Sequence, residues 1–248
     1  MGSDGILSVL SFLTIIPVPR SANTDLSVTA HNMHLFPIVG AIIGITVGVF
    51  AYVISTYLDN YLVSFLVTIA ILLITGMQHA DALADFADGM MVKGSKDAKR
   101  KAMSDPAVGT AGATSLILFV IGLIIAISTF NSGLKLLICI ITAEVIAKYI
   151  MVIEAGRSRS AWEGFSSPFT EAMKDKKKIA FATITTLIII VILNGYIGLI
   201  SLGMGLVIAC IICNFSAKHF GGLTGDVLGA SNEITRISSL LILSLLVI

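Results

Sequence analysis

Residues 79 to 89 read HADALADFADG, which places Asp81, Asp85 and Asp88 at i, i+4 and i+7, on one face of a helix. Three carboxylates on one face repel one another unless a cation, or a metal carried by a polyphosphate, neutralises them. In a chain whose mean hydropathy is +0.98 and of which 12% is charged, such a face reads as a divalent-metal site where a membrane helix meets water. Mg2+ asks for octahedral oxygen ligation and commonly bridges carboxylates to substrate phosphates, so the ladder suits a nucleotide diphosphate. Asp105, in SDPAVGT, is a candidate fourth carboxylate, brought back by the 31-residue connection at 80 to 110, which reads as a functional loop. His79 precedes the ladder and is a candidate base or hydrogen-bond donor to phosphate, although a lone His near an interface is more often structural. The bland alternative is that the ladder only caps and solubilises a helix mouth. Against it, Asp85 and Asp88 continue a deeply apolar segment with no Lys between them, whereas Asp97 and Lys101 have the spacing of an ordinary exposed pair.

Other positions carry less. Arg157 and Arg159, in GRSRSAWEG, offer guanidinium forks for a phosphate or serve as orientation anchors at a membrane edge. Glu144 and Lys148, four apart in an apolar segment, form a buried pair or line a substrate cavity. The segment HFGGLTGDVLGASNE at 219 to 233 sets Asp226, Asn232 and Glu233 among glycines, which permit close backbone contact with a bulky ligand. Cys210 and Cys213 have the spacing of half a metal knuckle, but no second half exists; with Cys139 they read as small buried hydrophobes.

The elements that must position these residues are membrane helices. At 56% hydrophobic over 248 residues, a soluble globule would have too little polar surface to cover itself. The chain reads as a single all-α integral membrane domain over 1–248, a polytopic helix bundle with about seven transmembrane helices. The spans fall at about 35–57, 62–80, 111–130, 134–153, 179–198, 201–215 and 234–248, the last two short. Residues 5–16 are too short to cross and read as an interfacial or re-entrant helix; Asp4 and the Pro17 to Pro19 break argue against a simple signal peptide. Lys93, Lys96, Lys99, Arg100 and Lys101 follow the second span, and Arg157, Arg159, Lys174, Lys176, Lys177 and Lys178 follow the fourth, while the alternate connections are nearly free of cations. The positive-inside rule places both basic connections, and with them the acidic face, in the cytoplasm. Charge gathered on one side favours an active site over a conduction path, which would place ionisable pairs at mid-membrane. A net charge of +1 gives no general attraction to nucleic acid.

Five stretches, in order, carry a resemblance: FLTIIPVP at 12–19, LFPIVGAIIG at 35–44, HADALADFADG at 79–89, MSDPAVGT at 103–110 and FGGLTGDVLGASNE at 220–233. Together they resemble the cobalamin synthase family, the adenosylcobinamide-GDP ribazoletransferases, over nearly the whole chain. The family's acidic motif, H-x-D-G-L-A-D-x-x-D-G, is matched at His79, Asp81, Leu83, Ala84, Asp85, Asp88 and Gly89; Ala82 stands where Gly is usual. Lys148 falls near a family Arg, and 154–171 matches less well. The resemblance implies a Mg2+-dependent transfer joining adenosylcobinamide-GDP to α-ribazole, or its 5'-phosphate, with release of GMP. It implies metal held by Asp81, Asp85 and Asp88, Asp105 as a further ligand or general base, and substrate contacts from Lys148, Arg157, Arg159, Asp226 and Asn232. The partners are those small molecules and the bilayer, with a homo-oligomer or association with other corrinoid-pathway enzymes left open. A CDP-alcohol phosphotransferase-like lipid enzyme is the nearest rival, but after Gly89 the chain reads MMVKGSKDAKR, without that class's Ala-Arg pair and later acidic ladder. A transporter is the non-enzyme alternative.

Overall fold

The computed structural model describes residues 2–247, whose regular elements are all helices, with one isolated parallel bridge between Ser160 and Leu223. The helices are α1 (Gly2–Leu13), α2 (Leu26–His31), α3 (Phe36–Ile54), α4 (Asn60–Ile74), α5 (Gln78–Met91), α6 (Lys96–Met103), α7 (Thr110–Ser128), α8 (Gly133–Arg157), α9 (Ser167–Ala172), α10 (Lys176–His219) and α11 (Gly225–Leu246). Side-chain caps mark several starts: Asp59 accepts from the Tyr61 and Leu62 amides, Ser95 from Ala98, and Thr224 from Val227.

Helix α8 is the axis, buried along almost its whole length from Leu136 to Ala155. Helix α3 lies directly on it, because Gly40, Gly44 and Gly48 form one stripe against Glu144, Ile141 and Leu137; a Cβ at Gly44 would sit 2.6 Å from the Ile141 Cα. Rows of exposed apolar side chains face outward, such as Ile117, Ile121 and Ile125 on α7 and Ile184, Ile188 and Ile192 on α10. In a multi-pass membrane protein these are the lipid-facing rows.

Helix α10 spans 44 residues, and a straight helix of that length would run about 66 Å. It does not run straight. Gly195 has φ 54° and ψ −131°, and a Cβ on Gly198 would lie 2.8 Å from the Ile190 carbonyl oxygen, so the chain doubles back there. Both arms pack on α8. Tyr149 pairs with Thr183 and Thr142 with Asn194 along the first arm, and Ser158 meets Cys213 on the second. Residues 179–198 and 201–215 are thus the two arms of one hairpin.

Among the described residues, four helices have the length and hydropathy of a span (the 3-10 turn plus α3, α7, α8 and α10), or five if α4 and α5 count as one broken span. The expected seven is not confirmed on that basis: α10 is counted once although it holds two arms, and two other segments depart from the expected spans. The segment 62–80 breaks: α4 ends at Ile74, Gly76 and Met77 take left-handed conformations (φ 61° and 58°), and α5 leaves at 88° to α4. The expected span 234–248 falls, over its residues 234–246, in the apolar half of α11, whose first half is polar and buried; Ile248 lies outside the described residues. The expected loop at 80–110 is also revised, since α5 and α6 fill most of it. Helix α1 is a short apolar helix packed on α2 and α3, Ser8 Oγ meeting Thr29 Oγ1 at 2.5 Å; a re-entrant path for it is not established.

Candidate active site

The bend between α4 and α5 sets the site. Ile15 donates its amide to the Ile74 carbonyl at 2.9 Å, and Gln78 Nε2 donates to the Phe12 carbonyl at 2.7 Å, so the N-terminal segment is tied across the bend. At the other end of α5, Lys99 is buried and donates to the carbonyl of Val92 at 2.5 Å and of Met90 at 3.3 Å, closing the helix C-terminus with a cation. Helix α5 is fixed at both ends, and its acidic face is held with it.

The three ladder residues differ. Asp88 accepts from the amides of Gly109 (2.7 Å) and Gly112 (2.8 Å), one on each carboxylate oxygen, and so closes the N-terminus of α7. Close approach explains the two glycines, since a Cβ at either would fall 2.5 Å from an Asp88 oxygen. Asp81 is exposed and Asp85 half-buried. Burial first, and then the charges of Asp81, Asp226 and Asp88, push the Asp85 carboxyl up to about 6. Asp226, in the first turn of α11, is itself raised by burial and by Asp81. The carboxylates that act on one another are therefore Asp81, Asp85 and Asp226, with Asp88 behind them. Among the described residues no three His, Cys, Asp or Glu side chains converge as a preformed metal cluster.

Beside this face lies a cavity of about 340 Å³. Its walls are Phe12, Phe36, Trp162, Phe165 and Phe169, with Met33, Met151 and Leu228; its polar groups include Gln78, His79, Ser104 and Asp226. The aromatic rings pack on one another, Phe12 against Phe169 at 5.5 Å and against Phe165 at 5.9 Å between centroids. Gln78, Ala82 and Asp85 stand at i, i+4 and i+7, so the α5 stripe that enters the cavity leads out onto the acidic face. The cavity floor is pinned by the 158–166 and 220–224 segments, where Leu223 donates to the Arg159 carbonyl (2.8 Å) and Ala161 to the Leu223 carbonyl (2.9 Å).

Behind His79 is a buried ionic network. Arg236 donates to both oxygens of Glu144 (2.6 and 3.3 Å) and to Glu233; Lys148 donates to Asn232 Oδ1 (2.7 Å) and lies 3.8 Å from Glu144; Asn232 donates to Glu233 (3.0 Å). His79 Nδ1 has no hydrogen bond and sits 3.9 Å from Glu233 Oε1. The opposite ring edge, at Cδ2, faces Gly229 in the cavity wall. The network joins α5, α8 and α11.

The structure brings His79, Asp81, Asp85 and Asp226 together. Lys148 and Asn232 meet each other inside the bundle, wholly buried, rather than at the cavity surface. Asp105 is exposed in a turn, accepting from the Ala107 amide at 2.9 Å, and lines a separate cavity with Asp88 on the α7 flank. Arg157 and Arg159, both exposed, line a third cavity with Cys210, Cys213 and Asn214. The aromatic wall and the role of Arg236 were not singled out from sequence, and Glu233, named there in its glycine-rich segment, was not tied to His79: the rings come from α1, α3 and the 162–169 segment, and no local spacing joins them.

Fold and site together define a multi-pass, all-helical membrane enzyme, whose cavity and acidic face lie at the end of the bundle where α8 stops and α11 begins, backed by the buried ionic network that reaches the middle of α8. A family model described as cobalamin-5-phosphate synthase matches residues 5–244. Curated relatives named adenosylcobinamide-GDP ribazoletransferase include those of Pyrococcus abyssi (31% identical, covering 96% of each chain), Methanosarcina barkeri (31%, covering 96% of this chain and 91% of the relative) and Thermococcus kodakarensis (30%, covering 96% and 97%). No solved structure matches. The chain belongs to the cobalamin-5-phosphate synthase family and is, at that level, a transferase of cobalamin biosynthesis in the membrane.

Proposed function

We propose that this chain transfers the adenosylcobinamide phosphate moiety of adenosylcobinamide-GDP to α-ribazole, or to its 5'-phosphate, and releases GMP. The observation that carries the reading is the abutment of the aromatic cavity, with His79 and Asp226 in its wall, on the acidic face of Asp81 and Asp85. A diphosphate brought to that face lies beside a cavity able to hold the acceptor, which is the juxtaposition a transfer between two bound substrates requires.

His79 is the base in this reading. The Glu233 carboxylate beside Nδ1 favours the tautomer that keeps its proton there and leaves Nε2 as the acceptor. A ribose hydroxyl of the acceptor gives its proton to Nε2 as its oxygen attacks the cobinamide-linked phosphorus. The new P–O bond forms, the bond from that phosphorus to the bridging oxygen breaks, and GMP leaves with the bridging oxygen. Glu233 then faces the imidazolium, held in place by Arg236 and Asn232. Glu233 thus positions His79 and does not itself touch substrate.

Asp81, Asp85 and Asp226 are hard oxygen donors of the kind Mg2+ takes, and Mg2+ commonly binds through one or two carboxylates with water and phosphate for the rest, so a preformed three-residue cluster is not required. These residues would hold the ion, which when bound neutralises charge on the diphosphate and the departing GMP. The mutual repulsion that raises Asp85 is what a cation relieves. We place the site on the cytoplasmic side because the basic residues of α6 adjoin it, Lys99 closing the end of α5 and Arg100 lying over the Trp162 ring of the cavity wall.

The test is incubation of the purified protein, in detergent and in liposomes, with adenosylcobinamide-GDP, α-ribazole and Mg2+. GMP and the joined corrinoid should appear in equal amounts and only when the acceptor is present. Movement of corrinoid into liposomes without GMP release would replace the transferase with a transporter.

A further inference from the structure

The cavity beside the acidic face points to one substrate in particular, and this inference rests on the transfer reading above. We propose that the cavity of about 340 Å³ is the seat of the benzimidazole ring of α-ribazole, with the ribose at its mouth between His79 and Asp226.

Size separates the substrates first. Small-molecule pockets run from about 300 to 1,000 Å³, and this one, near the lower bound, has room for a two-ring base with its sugar. A corrin macrocycle with its side chains does not fit. Chemistry then separates the two heteroaromatic groups that remain. Guanine carries several donors and acceptors on its edges, each needing a partner when buried. Dimethylbenzimidazole has one unsubstituted ring nitrogen and two methyl groups, so it suits a wall of five aromatic rings, two Met and a Leu, in which Gln78, Ser104, Ser166 and Thr224 are the neutral polar groups that offer that nitrogen a donor. No Lys or Arg lines the cavity among the described residues, and Asp226 does; a phosphate is disfavoured inside it. The 5'-phosphate, when present, must therefore stay outside, and the base enters first.

His79 lines the cavity with a side chain 6% exposed, its Cδ2 edge turned toward Gly229 in the cavity wall and its Nδ1 edge toward Glu233. A ribose hydroxyl at the mouth would meet the cavity-facing edge. Phe165 is the ring best suited to a test, because it is 50% exposed while lining the cavity and stacking on Phe12. Removing it takes away a stacking surface and little of the core.

Equilibrium dialysis of α-ribazole, and separately of its 5'-phosphate, against the purified protein in detergent reads the site without turnover. Phe165→Ala should weaken both ligands by roughly tenfold, the scale of one base–aromatic stack, and Phe165→Tyr should restore them. Trp162→Leu should weaken both in the same way. In the transfer assay Phe165→Ala should raise KM for α-ribazole and leave KM for adenosylcobinamide-GDP where it was. Unchanged α-ribazole affinity in both Phe165→Ala and Trp162→Leu, binding of the 5'-phosphate alone, or a rise in KM for adenosylcobinamide-GDP instead would overturn the assignment. GMP release with no Phe165 effect ends the cavity assignment and keeps the transfer reading. Phe165-dependent binding of α-ribazole without any GMP release does the reverse.

Discussion

Asp85 and Asp88 sit within one turn of each other and are held in opposite ways, one crowded by like charge and one satisfied by two backbone amides. Their replacements should therefore differ in kind. Asp88→Asn turns an amide NH2 toward a backbone N–H and removes a charge-assisted bond, so thermal unfolding in detergent should show a loss of about 1.5–3 kcal/mol. Asp81→Asn and Asp85→Asn relieve repulsion and should unfold no earlier than the parent, while their transfer rates fall about a hundredfold, the scale of losing one positioned electrostatic partner. Asp97→Asn, exposed on α6 with no ion pair to Lys101 among the described residues, should change neither. The ladder was legible because i, i+4, i+7 is a local pattern. Its capping duty at Gly109 and Gly112 was not, since nothing in HADALADFADG says which amides its last carboxylate meets. Asp226 was named from its glycine-rich setting, but its approach to Asp81 and Asp85 depends on α11 packing along α5, where a Cβ at Gly229 would clash with the Ala82 Cβ.

Helix α5 is an element that hydropathy alone misplaces. The apolar run through 62–80 conceals the break, because Gly76 and Met77 interrupt helical geometry without interrupting apolar composition. Left-handed geometry costs an L residue with a side chain about 1–2 kcal/mol, and Met77 already bears it. Gly76→Ala adds the same strain at φ 61° and brings a Cβ to 3.0 Å from Ile15. It should destabilise the protein by about 1–2 kcal/mol, and it should lower transfer more than stability, since the bend aims α5. Thermal unfolding and GMP release measured on the same preparation would separate the two; an unchanged rate would mean that the bend does not position the site. Polar composition hid α6 in the opposite sense, because KDAKRKAM looks like solvated loop until Ser95 caps it and Lys99 turns inward to close α5. The spans at 35–57, 111–130 and 134–153 were easier to read, being long, apolar and bounded by turn residues, and α3, α7 and α8 lie close to them.

At the scale of the molecule, α8 is the common wall: α3 lies on its glycine-matched side, both arms of α10 run along it, and α11 reaches it through Arg236 and Glu144. That arrangement puts the α6 region and the two outer ends of the α10 hairpin toward the site, and Asn60 and the Gly195 turn at the far end, as the contacts of Asn60 with Asn131 and of Asn194 with Thr142 indicate. With the native Cys139, Cys210 and Cys213 replaced, a single Cys at Lys96 or Lys177 should be shielded from an impermeant reagent in intact cells, whereas one at Asn60 or Tyr196 should react. Reaction of the Lys96 and Asn60 positions from the same side would overturn the placing of these residues at opposite ends, and reaction at Lys96 with Asn60 shielded would reverse the assigned orientation. Charge alternation made the two ends legible in the sequence; the helix-by-helix path between them was not, because a glycine turn inside an apolar run leaves no mark on hydropathy. The central claim is that Asp81 and Asp85 form the acidic face on which the diphosphate is cleaved. It is tested most directly by GMP release as a function of Mg2+ concentration for the parent, Asp85→Asn and Asp97→Asn at matched protein amounts. Asp85→Asn should need more Mg2+ and still turn over about a hundredfold more slowly at saturation, with Asp97→Asn superimposed on the parent. An Asp85→Asn curve lying on the parent's at low Mg2+ would contradict the claim and leave the ladder as a solvated helix face.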